Sequence, residues 1–286
     1  MLCIGCVKYL NARPLIHGWE GDVDFDHPSP LCNKLAADKL DVALVSSFEI
    51  LRNPIYRIVD DVSISSDGPV YSVIVAHRGE ISDIEEIELD PASETSANLL
   101  RCLIAELGFN PRLLQRSTSI LPVGTAGVSP AMSKSARRAR LLIGDQAIRF
   151  RQEYANKFSY WDLGEQWMKL FNLPFVYALW LVRPEVRDPK PIASRLRNLR
   201  DENLANLDEL IAEAVAGVGL SRRSPKAKAD DPEHRRRLNR EFFLRYYREH
   251  LRFGFGEKEK QGLRIFANLC IKHGLLPKRD LAFSVV

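Results

Sequence analysis

The first half of the chain alternates short apolar runs with amphipathic stretches. Residues 2–7 and 41–46 are continuous apolar runs that predict buried strands, and 70–76 is a third, rich in β-branched residues. Between the first two, residues 30–40 place Leu31, Leu35 and Leu40 near one helical face. A helix following residue 93 carries Leu99, Leu100, Leu103, Ile104 and Leu107 on one side, and Gly108 suits its C-terminal cap. Further strands are expected at 141–144 and 176–182. Asp162 and Glu165 have capping-box spacing ahead of Trp167 and Leu170. Such alternation predicts an α/β fold with mostly parallel strands covered on both faces.

Beyond Pro189 the pattern becomes helical. Leu204, Leu207, Leu210, Ile211, Ala214 and Val215 form one stripe. Phe242, Phe243, Tyr246 and Tyr247 belong to a second helix, and Leu263, Phe266, Ala267, Cys270 and Ile271 to a third, closed by Gly274. Residues 117–136 (Ser, Gly and Pro) and 219–233 (polar and basic) are expected as loop and surface connection. No internal repeat is visible. The order predicts two lobes, 1–86 with 176–286 and 87–175, with a ligand cleft between them beyond the carboxyl ends of the strands.

Composition changes this picture little. With 286 residues, 45% hydrophobic and 27% charged, the chain has room for a sizeable core. The net charge of +4 suits an anionic small molecule but does not single one out. The N-terminus lacks a basic region followed by a long apolar stretch, so a cytoplasmic location is expected, and no window is apolar enough for a membrane span. Five scattered cysteines read as reduced thiols. Cys3 and Cys6 form a C-x-x-C inside a predicted strand, and the six histidines show no metal spacing, so neither a metal nor a cofactor is expected. The basic residues around Arg222 and Arg236 lack interleaved aromatics and read as solvated surface, not a nucleic-acid site.

Four strand ends carry small polar residues where a cleft ligand would meet them. Asn11 lies between a strand and Pro14, either capping its own helix or contacting a ligand. Ser46 ends an apolar strand, as an N-cap or a ligand contact. In the third, Gly68 and Pro69 make a rigid turn before Ser72, which is either a satisfied buried hydroxyl or a ligand contact. Ser93, Thr95 and Ser96 open a helix whose free N–H groups suit a carboxylate, although Ser93 alone explains a cap. No nucleophile elbow, Walker motif or dinucleotide fingerprint is present. Asn, Ser, Thr and Gly suit anion binding or a reaction that needs little acid–base power.

In order, these strings resemble one family. Val7-Lys8-Tyr9-Leu10-Asn11 with Pro14-Leu15, Leu44-Val45-Ser46-Ser47-Phe48-Glu49, and Gly68-Pro69-Val70-Tyr71-Ser72-Val73 come first. Leu89-Asp90 with Ser93, Thr95, Ser96 and Leu99 follows, then Leu142-Ile143-Gly144-Asp145-Gln146-Ala147. Asp162-Leu163-Gly164 with Trp167, the run 173–180 and Gly262-Leu263 with Phe266 complete the set. Together they resemble the chorismate dehydratases of the futalosine route to menaquinone. The resemblance implies a type II periplasmic-binding-protein-like fold used as an enzyme. It implies a hydro-lyase that converts chorismate into 3-[(1-carboxyvinyl)oxy]benzoate, with Asn11 and Ser72 at the reacting centre. Ser46, Gly68, Ser93, Thr95, Ser96 and Asp145 would hold the substrate. Lys8 departs from the expected small residue; a cation there either pairs with a substrate carboxylate or points away. The related 1,4-dihydroxy-6-naphthoate synthases share the fold, but their S-P-C-P-N-D-type opening is absent. A cytoplasmic, non-catalytic anion-binding protein is the remaining alternative.

Overall fold

The computed structural model describes residues 2–115, 137–218, 240–280 and 282–286. The segments 117–136 and 219–233, read above as loop and connection, lie outside the described residues.

Two sheets form the frame. The first runs β11-β4-β10-β3-β1-β2, from Ser284–Val285 (β11), Arg57–Ser66 (β4), Phe175–Val182 (β10), Val42–Ser46 (β3), Ile4–Val7 (β1) and Val23–Asp26 (β2). The second runs β7-β6-β8-β5-β9, from Arg112–Gln115 (β7), Glu86–Leu89 (β6), Arg138–Ile143 (β8), Val73–His77 (β5) and Ser159–Asp162 (β9). The chain crosses between sheets after Ser66 and returns before Phe175. Strands β1, β3, β5 and β10 are buried along their whole length, because helices cover both faces of each sheet centre.

One expectation needs correction. The 86/87 division would leave Val73–His77 in the first lobe, yet β5 pairs with β8 and β9 in the second sheet. A β-branched run reads the same in either sheet, so the run's composition did not reveal its partners. The strands are mostly parallel, as expected, with one reversed strand in each sheet. β5 is antiparallel to both neighbours, and so is β10. Each is the first strand after a crossing, entering its sheet from the cleft side while its neighbours run towards the cleft.

The helices are Pro28–Ala36 (α1), Phe48–Arg52 (α2), Glu94–Glu106 (α3), Gly144–Glu153 (α4), Leu163–Phe171 (α5), Lys190–Ala205 (α6), Leu207–Val218 (α7), 240–245 (α8) and Glu257–Lys272 (α9). Gly108 and Gly274 follow α3 and α9 with φ of +73° and +70°, the left-handed geometry that favours glycine at a helix end. The helical tail touches both halves. α6 packs on β4, and Phe266 of α9 packs against Phe48, Trp167 and Phe175. Gly262 lets α9 approach closely, since a Cβ there would lie 2.1 Å from the Pro174 carbonyl oxygen. Among the described residues no helix is long and apolar enough to cross a membrane.

Candidate active site

β1, β3, β6, β8 and β9 end in loops or helix starts that carry the candidate polar residues. The loops after β1 and β3 and the starts of α3, α4 and α5 therefore meet between the sheets.

Asn11 lies inside a 3-10 helix, Leu10–Leu15, whose N-cap is Tyr9 and makes no side-chain cap bond. It therefore does not cap its helix. Its Oδ1 is buried and has no hydrogen-bond partner among the described residues. A buried polar atom left unpaired costs about 1–3 kcal/mol, so such an atom calls for an explanation.

Ser72 is fully buried. Its carbonyl accepts from Gly144 N at 2.8 Å, and its Oγ accepts from the Tyr246 hydroxyl at 2.8 Å. Among the described residues its own hydrogen has only the Val70 carbonyl, at 3.5 Å. Leu10, next to Asn11, is held in parallel: its N donates to Asp145 Oδ1 at 3.0 Å, and its carbonyl accepts from the Tyr247 hydroxyl at 2.8 Å. One residue pair on α4 and one tyrosine pair thus bracket both segments, which brings the Leu10 backbone, next to Asn11, and the Ser72 backbone to the same helix start.

Ser46 and Thr95 meet across the sheets. Their hydroxyls are bonded to each other, Thr95 N donates to Ser46 Oγ at 3.2 Å, and Phe48 N donates to Thr95 Oγ1 at 2.8 Å. Ser47 is the N-cap residue of α2, but its hydroxyl goes to the Val176 carbonyl at 2.7 Å. At the start of α3, Ser93 caps by accepting from Ser96 N at 3.3 Å. The N–H groups of Thr95 and Ser96 are therefore bonded to protein hydroxyls, not free for a carboxylate as the sequence suggested. Ser93 also lines a groove of about 350 Å³ together with Arg52 and Arg101.

Gly68 is buried with φ of +116°, so its turn favours glycine. Its carbonyl accepts from Ser66 Oγ at 3.0 Å, and α5 presses so close that a Cβ on Gly164 would lie 2.5 Å from that oxygen. Asp162 does more than cap α5. It accepts from Gly164 N and Glu165 N, and also from Val70 N at 3.0 Å and Tyr71 N at 2.7 Å. That fixes the crossing segment immediately before Ser72.

Burial raises the Asp145 carboxyl above its ordinary range, against the Leu10 N–H bond and the Arg149 and Arg13 charges. Burial likewise raises Asp162, against its backbone donors and Arg151. Tyr177 and Tyr246 are pushed far upward by burial and remain neutral donors at physiological pH. Tyr9 lies flat against Gly144, where a Cβ would come within 2.9 Å of the ring, and its hydroxyl meets His27 Nδ1 at 2.8 Å. Lys8 is exposed. Cys3 is exposed and Cys6 buried, as positions i and i+3 of an extended segment should be, and both are free thiols.

Sequence reasoning missed Tyr246 and Tyr247, which read simply as apolar positions of a helix. The available signal was two hydroxyls on an otherwise apolar face. Asp162 was seen only as a cap because its bonds to Val70 and Tyr71 join residues about 90 positions apart.

Comparison with known proteins agrees with this architecture. The chain resembles, at 16% identity and a TM-score of 0.61, the crystal structure of a protein from Archaeoglobus fulgidus, covering 96% of this chain and 98% of that one. It also resembles the periplasmic aliphatic sulphonate binding protein of Escherichia coli, at 13% identity and a TM-score of 0.61, covering 97% and 94%. These likenesses show a periplasmic-binding-protein-like fold. A curated chorismate dehydratase of Thermus thermophilus is 29% identical over 286 residues, covering 92% of this chain and 93% of the relative. A family model described as menaquinone biosynthesis matches residues 2–272. The chain therefore belongs to the menaquinone biosynthesis family.

Proposed function

We propose that this protein is a chorismate dehydratase, a hydro-lyase of the futalosine route, acting in the cytoplasm without a metal or cofactor. The relative's name and the family model support the reaction. The observation that carries the site is the buried, unpartnered Oδ1 of Asn11.

In the reaction the ring of chorismate loses the C3 proton and the C4 hydroxyl, and the electrons of the C3–H bond complete the aromatic ring. Aromatisation supplies most of the driving force. The C3 proton is vinylogous to the ring carboxylate, which further weakens that bond. The site therefore needs orientation and polar contacts more than a strong base. Asn11 offers both an acceptor and an amide donor to the C4 hydroxyl, and Ser72 lies at the C3 side. With no strong side-chain base assigned, the enolpyruvyl carboxylate of the substrate itself is one candidate to take the proton. Ser46, Gly68, Ser93, Thr95 and Ser96 shape the pocket around the substrate. Asp145 contributes by holding Leu10 and so the position of Asn11.

The test is incubation of purified protein with chorismate. An aromatic product one water lighter than chorismate is expected. Chorismate recovered unchanged, whether bound or not, would remove the assignment and leave a binding protein.

A further inference from the structure

Outside the residues already assigned, the helical tail makes three side-chain contacts with two cleft segments. Tyr246 OH donates to Ser72 Oγ at 2.8 Å, Tyr247 OH to the Leu10 carbonyl at 2.8 Å, and His250 Nδ1 meets the Pro69 carbonyl at 2.9 Å. All three come from the wide turn that ends α8, Tyr246–His250, where Leu251 N reaches back five residues to the Tyr246 carbonyl at 3.1 Å. Wide turns of this kind occur mostly where a helix serves a site.

We propose that Tyr246 is a positioning residue for the dehydration, holding the Ser72 oxygen as an acceptor so that the serine proton is aimed at the substrate. The proposal rests on the functional reading above. A serine hydroxyl has one hydrogen, and which group receives it decides what the serine can do. Here Tyr246 is the donor, so the serine hydrogen is not used in that bond. Among the described residues the one acceptor for that hydrogen is the Val70 carbonyl, at 3.5 Å, the limit of a hydrogen bond. The Ser72 backbone is fixed independently, by Gly144 N at 2.8 Å. Tyr246 therefore sets the direction of the hydroxyl rather than the place of the residue. Both side chains are fully buried, so water does not compete for either group. A tyrosine-to-serine-to-substrate chain also polarises the serine O–H, which strengthens its donation to developing negative charge. The Tyr246 ring is held by stacking on Phe242, with centroids 5.6 Å apart and planes 15° from parallel.

Four variants and the wild type decide it, each measured for kcat, KM and melting temperature: Tyr246→Phe, Ser72→Ala, the two combined, and Phe243→Leu. Phe243 is buried on the same helix and packs on Phe242 and Tyr247, so its variant reports loosened packing around Tyr246 with the Tyr246 and Ser72 hydroxyls both kept. The expected result for Tyr246→Phe is a fall in kcat of about tenfold or more, with KM changed little, since donors acting through a second group give less than the 10²–10³ of direct ones. Tyr246→Phe should cause no further fall when added to Ser72→Ala. Phe243→Leu should lower the melting temperature and keep kcat. Wild-type kcat in Tyr246→Phe overturns the proposal, as does a loss that repeats in full on the Ser72→Ala background. Loss of kcat in Phe243→Leu equal to that in Tyr246→Phe also overturns it, because packing would then explain both. A wild-type protein that does not dehydrate chorismate overturns the functional reading itself, and only in that case does the wild-type arm fail.

Discussion

Two hydroxyl-bearing regions bridge the sheets, and they differ in what they leave unpaired. Around Ser46 and Thr95 the bonds close on themselves: two hydroxyls bond each other, and Thr95 N and Phe48 N bond to them. Around Asn11 and Ser72 they do not close. Among the described residues Asn11 Oδ1 has no partner, and the serine hydrogen has only a distant carbonyl. Saturated contacts stabilise a particular arrangement of the lobes, whereas unpaired buried groups make sense when a substrate completes them. On the function proposed above, the first region is mainly a latch and the second is where the substrate is completed.

The strongest way to break this contrast is Ser72→Ala. Turnover should fall by about 10²–10³ while chorismate still binds, as when one oriented donor is lost. Steady-state kinetics with a binding titration checks it. Next in size is Gly144→Ala. Its φ of +55° and the Tyr9 ring at 2.9 Å oppose a methyl group, so the variant should lose about 1–3 kcal/mol of stability and bind chorismate more weakly, read by denaturant unfolding and KM. Thr95→Val should cost about 1–3 kcal/mol, because Phe48 N loses its acceptor and the Ser46 hydroxyl keeps only the Thr95 N–H, and should lower turnover far less than Ser72→Ala. A larger loss of turnover in Thr95→Val would reverse the comparison.

The smallest effect concerns pH. Because the folded carboxyl of Asp145 titrates above its ordinary 3.8, its ionised form weakens the fold at neutral pH. That cost is relieved as the pH falls through the raised value. Asp145→Asn keeps an oxygen for Leu10 N and removes the titration. The stability difference should therefore shift in favour of the wild type as the pH falls from neutrality towards 3.8. Unfolding curves at several pH values would show it.

Much of the frame was legible because burial imposes simple periods. The apolar runs at 41–46 and 176–182 became β3 and β10, and the Leu99–Leu103 face became the buried side of α3. Sheet membership was not legible, since Val73–His77 has the same β-branched pattern whichever sheet it joins. At the site, residue types at strand ends pointed to Asn11, Ser46 and Ser72. What each side chain does depends on long-range partners. Thr95 bonds Ser46, 49 positions away, and Tyr246 bonds Ser72, 174 positions away. The free N–H groups expected at Thr95 and Ser96 were misjudged for the same reason, as one of the hydroxyls that take them comes from another strand end.

The central claim is that Asn11 is left unpaired for the substrate. Asn11→Ala, assayed for chorismate turnover and for thermal stability on the same preparation, tests it most directly. Removing an unsatisfied buried oxygen should leave the melting temperature unchanged or raise it, while turnover falls by about 10²–10³. A variant that melts earlier and turns chorismate over at the wild-type rate would contradict the account.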